Sequence, residues 1–129
     1  MSKVSGWCLC GAVRYEVSGP LREVSFCHCG QCRKSSGHYV AATACADQDL
    51  KLTEERGLRW FASSEEASRG FCQHCGSSLF WRRNAAARTS IMAGSFDRDV
   101  GLRLKRHIFV ADKGPYYTLD DALPKFDTY

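Results

Sequence analysis

Long hydrophobic runs are missing from this 129-residue sequence. A helix that crosses a bilayer needs about 20 mainly apolar residues, so no membrane-spanning helix is expected. Met1–Gly6 lacks the charged-then-apolar order of a secretory leader, and the expected location is therefore the cytoplasm. A strong excess of one charge is also missing: 18 Lys and Arg stand against 14 Asp and Glu, a net +4. That tilt favours anionic ligands. The basic residues are nevertheless dispersed, with Arg82, Arg83 and Arg103, Lys105, Arg106 the densest groups. A nucleic-acid footprint needs a fuller basic stripe, so no nucleic-acid partner is expected. Linkers, internal repeats and low-complexity tracts are absent, and residues 1–129 read as one domain. Balanced charge with 44% hydrophobic and 12% aromatic residues excludes a disordered chain and supplies a core.

No segment sustains a 3.6-residue apolar period over three turns, which excludes a helical bundle. The pattern is instead one of short strands between turn signals. Ala12–Val17 alternates, with Val13, Tyr15 and Val17 on one face and Arg14 and Glu16 on the other. Gly19-Pro20 ends that run. Further strands are predicted at Leu21–Phe26, Tyr39–Cys45, Leu50–Thr53, Leu58–Ala62, Ser68–Phe71, Ser78–Arg82, Ser90–Ala93 and Leu102–Val110, with one helical turn around Gln31–Ser36. Many short strands with little helix predict a mainly β fold.

Eight cysteines are many for a chain expected in a reducing compartment, where disulfides do not persist; metal binding is the better reading. Cys8 and Cys10 form C-x-C between Gly6 and Gly11, and Cys72 and Cys75 form C-x-x-C between Gly70 and Gly76. Glycine lets the backbone turn sharply behind two thiolates that must both reach one ion. Two such half-sites complete a four-cysteine tetrahedron with no free position, which is a structural zinc site. Cys27, Cys29 and Cys32 fall within Cys27-His28-Cys29-Gly30-Gln31-Cys32 and offer three thiolates and an open fourth position, the arrangement of a catalytic zinc. Three thiolates leave such a zinc a weak Lewis acid, better suited to holding a thiol than to activating water. The alternative is a second structural zinc closed by His28 or by a distant histidine. His28 lies between two ligands, a position that often points away from the metal. His74 is expected to be exposed, and His38 and His107 to be ordinary strand histidines. Cys45, inside an apolar strand, is left as a core thiol.

Taken in order, these motifs resemble the glutathione-dependent formaldehyde-activating family, which includes centromere protein V. The resemblance begins at Cys8-Leu9-Cys10-Gly11-Ala12-Val13 and continues through Cys27-His28-Cys29-Gly30-Gln31-Cys32-Arg33-Lys34 and Ser36-Gly37. It includes Arg69-Gly70-Phe71-Cys72-Gln73-His74-Cys75-Gly76-Ser77 and Ala93-Gly94-Ser95-Phe96-Asp97. It ends with His107-Ile108-Phe109-Val110, Lys113, Pro115 and Leu123-Pro124-Lys125-Phe126; Tyr116 stands where the family usually has tryptophan. The resemblance implies a β-tent fold of small antiparallel sheets. It implies two zinc ions, a structural one on Cys8, Cys10, Cys72 and Cys75 and a catalytic one on Cys27, Cys29 and Cys32. It also implies a carbon–sulfur lyase that condenses glutathione with formaldehyde to S-hydroxymethylglutathione.

The function expected from the sequence is thus a zinc enzyme acting on a small-molecule thiol and an aldehyde. Its open zinc would take the substrate sulfur as thiolate, and proximity would supply much of the rate. Arg33 and Lys34, beside the three-cysteine loop, are candidates to attract the carboxylates of glutathione. Two other readings stand beside it: a zinc-stabilised module that binds a protein partner without chemistry, and a related lyase acting on another thiol adduct. An exchangeable fourth ligand at the third cysteine group separates enzyme from scaffold.

Overall fold

The computed structural model describes residues 3–129; the first two positions of the stretch read for a secretory leader lie outside the described residues. Ten strands are present: β1 (Val4–Trp7), β2 (Arg14–Val17), β3 (Val24–Cys27), β4 (Val40–Ala46), β5 (Leu50–Glu54), β6 (Leu58–Ala62), β7 (Ala67–Cys72), β8 (Ser78–Arg83), β9 (Arg88–Met92) and β10 (Leu104–Ile108). One helix, α1 (Gly30–Ser36), follows β3. The strands form two sheets, β1-β2-β5 and β10-β3-β4-β9-β8-β7-β6. The fold is mainly β, as the short alternating runs predict. Among the described residues the ten strands pair antiparallel with one exception: β10 runs parallel to β3, so the expectation of antiparallel sheets needs that correction. A parallel neighbour requires a long crossover, and the chain supplies it by placing six strands between β3 and β10.

The core sits where the small sheet meets the β8–β9 part of the large one. Val13, Tyr15 and Val17, the apolar face read from the sequence, are buried with Leu79, Phe80 and Ile91. Each such side chain contributes roughly 1.5–3 kcal/mol by leaving water. Tyr15 packs edge-on against Phe80 at 5.4 Å, and its hydroxyl shares a 2.6 Å hydrogen bond with Ser95. Its partner across β1 is Gly6, where a Cβ would lie 2.3 Å from the Tyr15 hydroxyl oxygen. The glycine in β1 is thus the hole that accepts Tyr15. It also explains why Val4–Trp7 carries no alternating signal and falls outside the strands predicted from the sequence.

Candidate metal centre

The turn between β1 and β2 carries Cys8 and Cys10; the end of β7 and the turn after it carry Cys72 and Cys75. The four sulfurs lie within 4.8 Å of one another. Cys8 to Cys10 and Cys10 to Cys72 are both 3.7 Å apart. A tetrahedron of four sulfurs around zinc, with bonds of ~2.3 Å, has edges of about 3.8 Å, so the donor set fits the ion in kind and in spacing. Two glycines make the turns: Gly11 and Gly76 both adopt the left-handed region, at φ 83° and 79°. Cys8 also accepts the Val13 N–H at 3.3 Å. The Ser77 hydroxyl, 3.2 Å from Cys75, heads the contacts that hold that thiol down at about 5. Gly57, in the β5–β6 turn, carries no signal in the sequence. Its N–H donates to Ala12 and its carbonyl accepts from Gln73, which ties the two half-sites together.

The second group is local. Cys27 ends β3, Cys29 caps α1 and accepts the Cys32 N–H at 3.3 Å, and Cys32 is buried within α1. α1 stops where Gly37 turns left-handed at φ 86° and donates back to the Arg33 carbonyl. The three sulfurs lie within 4.8 Å of one another, and no fourth His, Cys, Asp or Glu joins them among the described residues. Hydrogen bonds from Cys27 and Cys32 hold the Cys29 thiol well below its usual range, while Cys29 and Cys32 push Cys27 far above it. One thiolate forms easily and the others resist, because like charges crowd. A cation resolves that conflict, so this cluster too fits a soft metal ion.

The four histidines do not close it. Both ring nitrogens of buried His28 are taken, Nδ1 by the Tyr117 hydroxyl at 2.6 Å and Nε2 by His107 Nδ1 at 3.0 Å. Burial, with His107 next in effect, lowers His28 to about 4, so the ring is neutral at neutral pH. His74 is exposed as expected. His38 lies in the bend before β4 rather than in a strand and bonds to Tyr116 at 2.7 Å. His107 is in β10, yet it is no ordinary strand residue, since its Nε2 bonds to Asp121 at 2.8 Å.

Beside the three sulfurs opens a cavity of about 950 Å³, whose wall includes all three cysteines. Arg22, Arg33, Arg69, Arg83, Arg106 and Lys113 line it, against Glu66 and Asp112. None of these six cations is in an ion pair among the described residues. Arg69 reaches toward the sulfurs, with Nη2 at 3.9 Å from Cys32 and 3.3 Å from the Gln31 side-chain oxygen. Of the two basic residues read from the sequence, Arg33 lines the cavity; Lys34 is exposed and does not. The other five come from β3's approach, β7, β8, β10 and the segment after β10, so no single run in the sequence marks them as one group.

A mainly β fold with a four-thiol cluster and a separate three-thiol cluster on a cationic cavity defines a protein with two cysteine groups that could each hold a metal ion. The sequence profile of the glutathione-dependent formaldehyde-activating enzymes matches residues 3–112, and the chain belongs to that family. It is 32% identical, over 95% of its length and 96% of the relative's, to an uncharacterized lyase of Schizosaccharomyces pombe. A crystal structure of a Rhodobacter sphaeroides protein shares the fold, with a TM-score of 0.59 at 24% identity, covering 78% of this chain and 97% of that one.

Proposed function

We propose that this chain is a zinc-dependent carbon–sulfur lyase that joins glutathione to formaldehyde in one cavity. The observation that carries the reading is a cluster of three sulfurs, with no fourth protein donor among the described residues, in the wall of a cavity lined by six unpaired cations. Cys27, Cys29 and Cys32 would hold the ion; Cys8, Cys10, Cys72 and Cys75 would hold a second, structural one. A zinc held by those three thiolates would supply a soft site for a substrate sulfur and favour its thiolate form.

The remaining work belongs to the protein's own side chains. The guanidinium groups recognise carboxylates in bidentate fashion, and glutathione carries two carboxylates on arms either side of its thiol. Arg69, beside Cys32, would hold one arm; Arg22 and Arg106, on the β3–β10 side, would hold the other. Arg33 extends the same wall. With the thiol fixed, the small aldehyde need only occupy the adjacent space, and effective concentration supplies much of the rate. The reaction is an addition: a carbon–sulfur bond forms, the carbonyl π bond breaks, and the proton lost by sulfur ends on the carbonyl oxygen. No oxidant or reductant is needed. The family assignment and the lyase name of the fission-yeast relative support this class of reaction.

The test is the rate of adduct formation with wild-type protein, with Cys29→Ser and with buffer, since the two reactants also combine unaided. Acceleration by wild type alone is expected. Equal rates in all three would remove formaldehyde as the electrophile; failure of glutathione to bind would remove the enzyme reading.

A further inference from the structure

The chain behind the three-thiol loop is built as carefully as the loop itself. Cys27 and Cys29 direct their sulfurs to one cluster, and His28 between them sends its ring the other way. That ring is buried, and its backbone N–H is fixed by the Ile108 carbonyl at 3.0 Å. Four side chains then run in line. Tyr117 stands 2.6 Å from His28 Nδ1, His28 Nε2 stands 3.0 Å from His107 Nδ1, and His107 Nε2 stands 2.8 Å from Asp121 Oδ2. An ionised carboxylate only accepts, so His107 carries its hydrogen on Nε2. In a neutral His107 ring Nδ1 then accepts from His28 Nε2–H, which leaves His28 Nδ1 to accept from the tyrosine hydroxyl. One carboxylate thus sets the tautomer and orientation of two buried rings.

Asp121 is itself anchored. Lys125 lies 3.2 Å from its Oδ1, the Leu123 N–H donates to the same oxygen at 3.0 Å, and Phe126 and Pro124 exchange hydrogen bonds with the His107 backbone. Tyr117 and Asp121 both lie beyond the residues that the family profile matches.

We propose that Asp121 is a positioning residue for the three-thiol metal site. Through His107 it fixes the His28 ring, and through His28 it fixes the spacing of Cys27 and Cys29. This rests on the reading of those cysteines as metal ligands. Outer partners that hold a ligand-bearing loop typically change metal affinity ten- to a hundredfold without contacting the ion.

The experiment compares wild type, Asp121→Ala and Asp121→Asn, each purified with zinc and exposed to rising chelator. Alkylation mapped cysteine by cysteine reports each site separately, and zinc released per chain reports the total. In Asp121→Ala, the chelator concentration that uncovers Cys27, Cys29 and Cys32 should fall roughly ten- to a hundredfold. The concentration that uncovers Cys8, Cys10, Cys72 and Cys75 should stay that of wild type. Asp121→Asn keeps an acceptor for His107 and should resemble wild type. Unchanged protection in Asp121→Ala overturns the proposal. So does a parallel weakening of both clusters, which marks a general loss of stability, and so does an Asn variant as weak as the Ala variant. If the wild-type Cys27, Cys29 and Cys32 are alkylated even with zinc in excess and no chelator, the metal reading itself fails, and this proposal with it.

Discussion

Replacing Gly57 with alanine should damage a site that the new methyl never binds. Gly57 is buried, and a Cβ there would lie 2.8 Å from the Ala12 Cβ and 2.9 Å from the Cys72 sulfur. Both contacts are closer than side chains tolerate, and neither neighbour can yield freely: Ala12 is fixed in the core and Cys72 in the four-thiol cluster. In an unobstructed position Gly→Ala gains about 0.4–1 kcal/mol by restricting the unfolded chain. Overpacking of a filled site costs roughly 1–3 kcal/mol, so the net sign is destabilising. At roughly 4 °C per kcal/mol for a chain of this size, the melting midpoint should fall by about 4–8 °C. Because metal binding at a structural cluster is folding energy, the four-thiol cluster should also release zinc at lower chelator concentration. Differential scanning calorimetry with alkylation mapping checks both. A midpoint at or above that of wild type would refute the packing argument, and weakening confined to Cys27, Cys29 and Cys32 would refute its location.

Cys72→Ser should yield insoluble protein or a large drop in melting midpoint, whereas Cys29→Ser should stay folded, lose one zinc and lose adduct formation; circular dichroism and elemental analysis separate the two. Arg69→Gln should raise the KM for glutathione by about tenfold, near 1.4 kcal/mol for one charge-assisted contact, with a shallower dependence on salt; an unchanged KM removes Arg69 from substrate binding. The Cys45 thiol, pushed up to about 11 by burial and then by Asp49 and Asp47, should resist alkylation at neutral pH in folded protein even after chelation exposes the three-thiol group, and should react only on unfolding.

Local patterns were legible and cross-chain ones were not. Nine of the ten strands follow from alternation or from apolar runs between turn signals, because a strand's side-chain period is written along the chain. β1 escaped because Gly6 replaces the apolar residue that would have shown the period, and the reason for Gly6 is Tyr15 on the neighbouring strand. The sulfur clusters were legible because C-x-C and C-x-x-C each bring two ligands together by local geometry, and a pair of thiolates needs a second pair to complete a tetrahedron. The cavity cations were not, since Arg22, Arg69, Arg83 and Arg106 meet only after β3, β7, β8 and β10 are arranged in one sheet. His107 is a strand residue as expected, but its role was hidden for the same reason: its partners His28 and Asp121 come from either side of it in sequence.

Sequence separation also supports the proposed division of work between the two sulfur clusters. Cys10 and Cys72 are 62 residues apart, Cys10 in the turn between β1 and β2 of the small sheet and Cys72 at the end of β7 in the large one. A cross-link over that span removes about 4 kcal/mol of loop entropy from the unfolded chain, by the arithmetic used for disulfides. The small sheet shares its core with the large one, and Cys8 and Cys72 belong to that core, so a metal ion on the four thiols would clamp the two sheets at its edge. Cys27, Cys29 and Cys32 span one turn at the end of a single strand, where the same arithmetic gives about 2 kcal/mol and no second sheet is tethered. A cluster that holds little of the fold together can keep a position empty and open to a cavity, because an exchanging ligand there does not endanger the structure. The hydrogen-bonded line from Asp121 to His28 is the counterpart of that freedom. The loop lacks a distant partner sulfur to hold it in place, so the fold holds it from behind with two buried rings and a carboxylate.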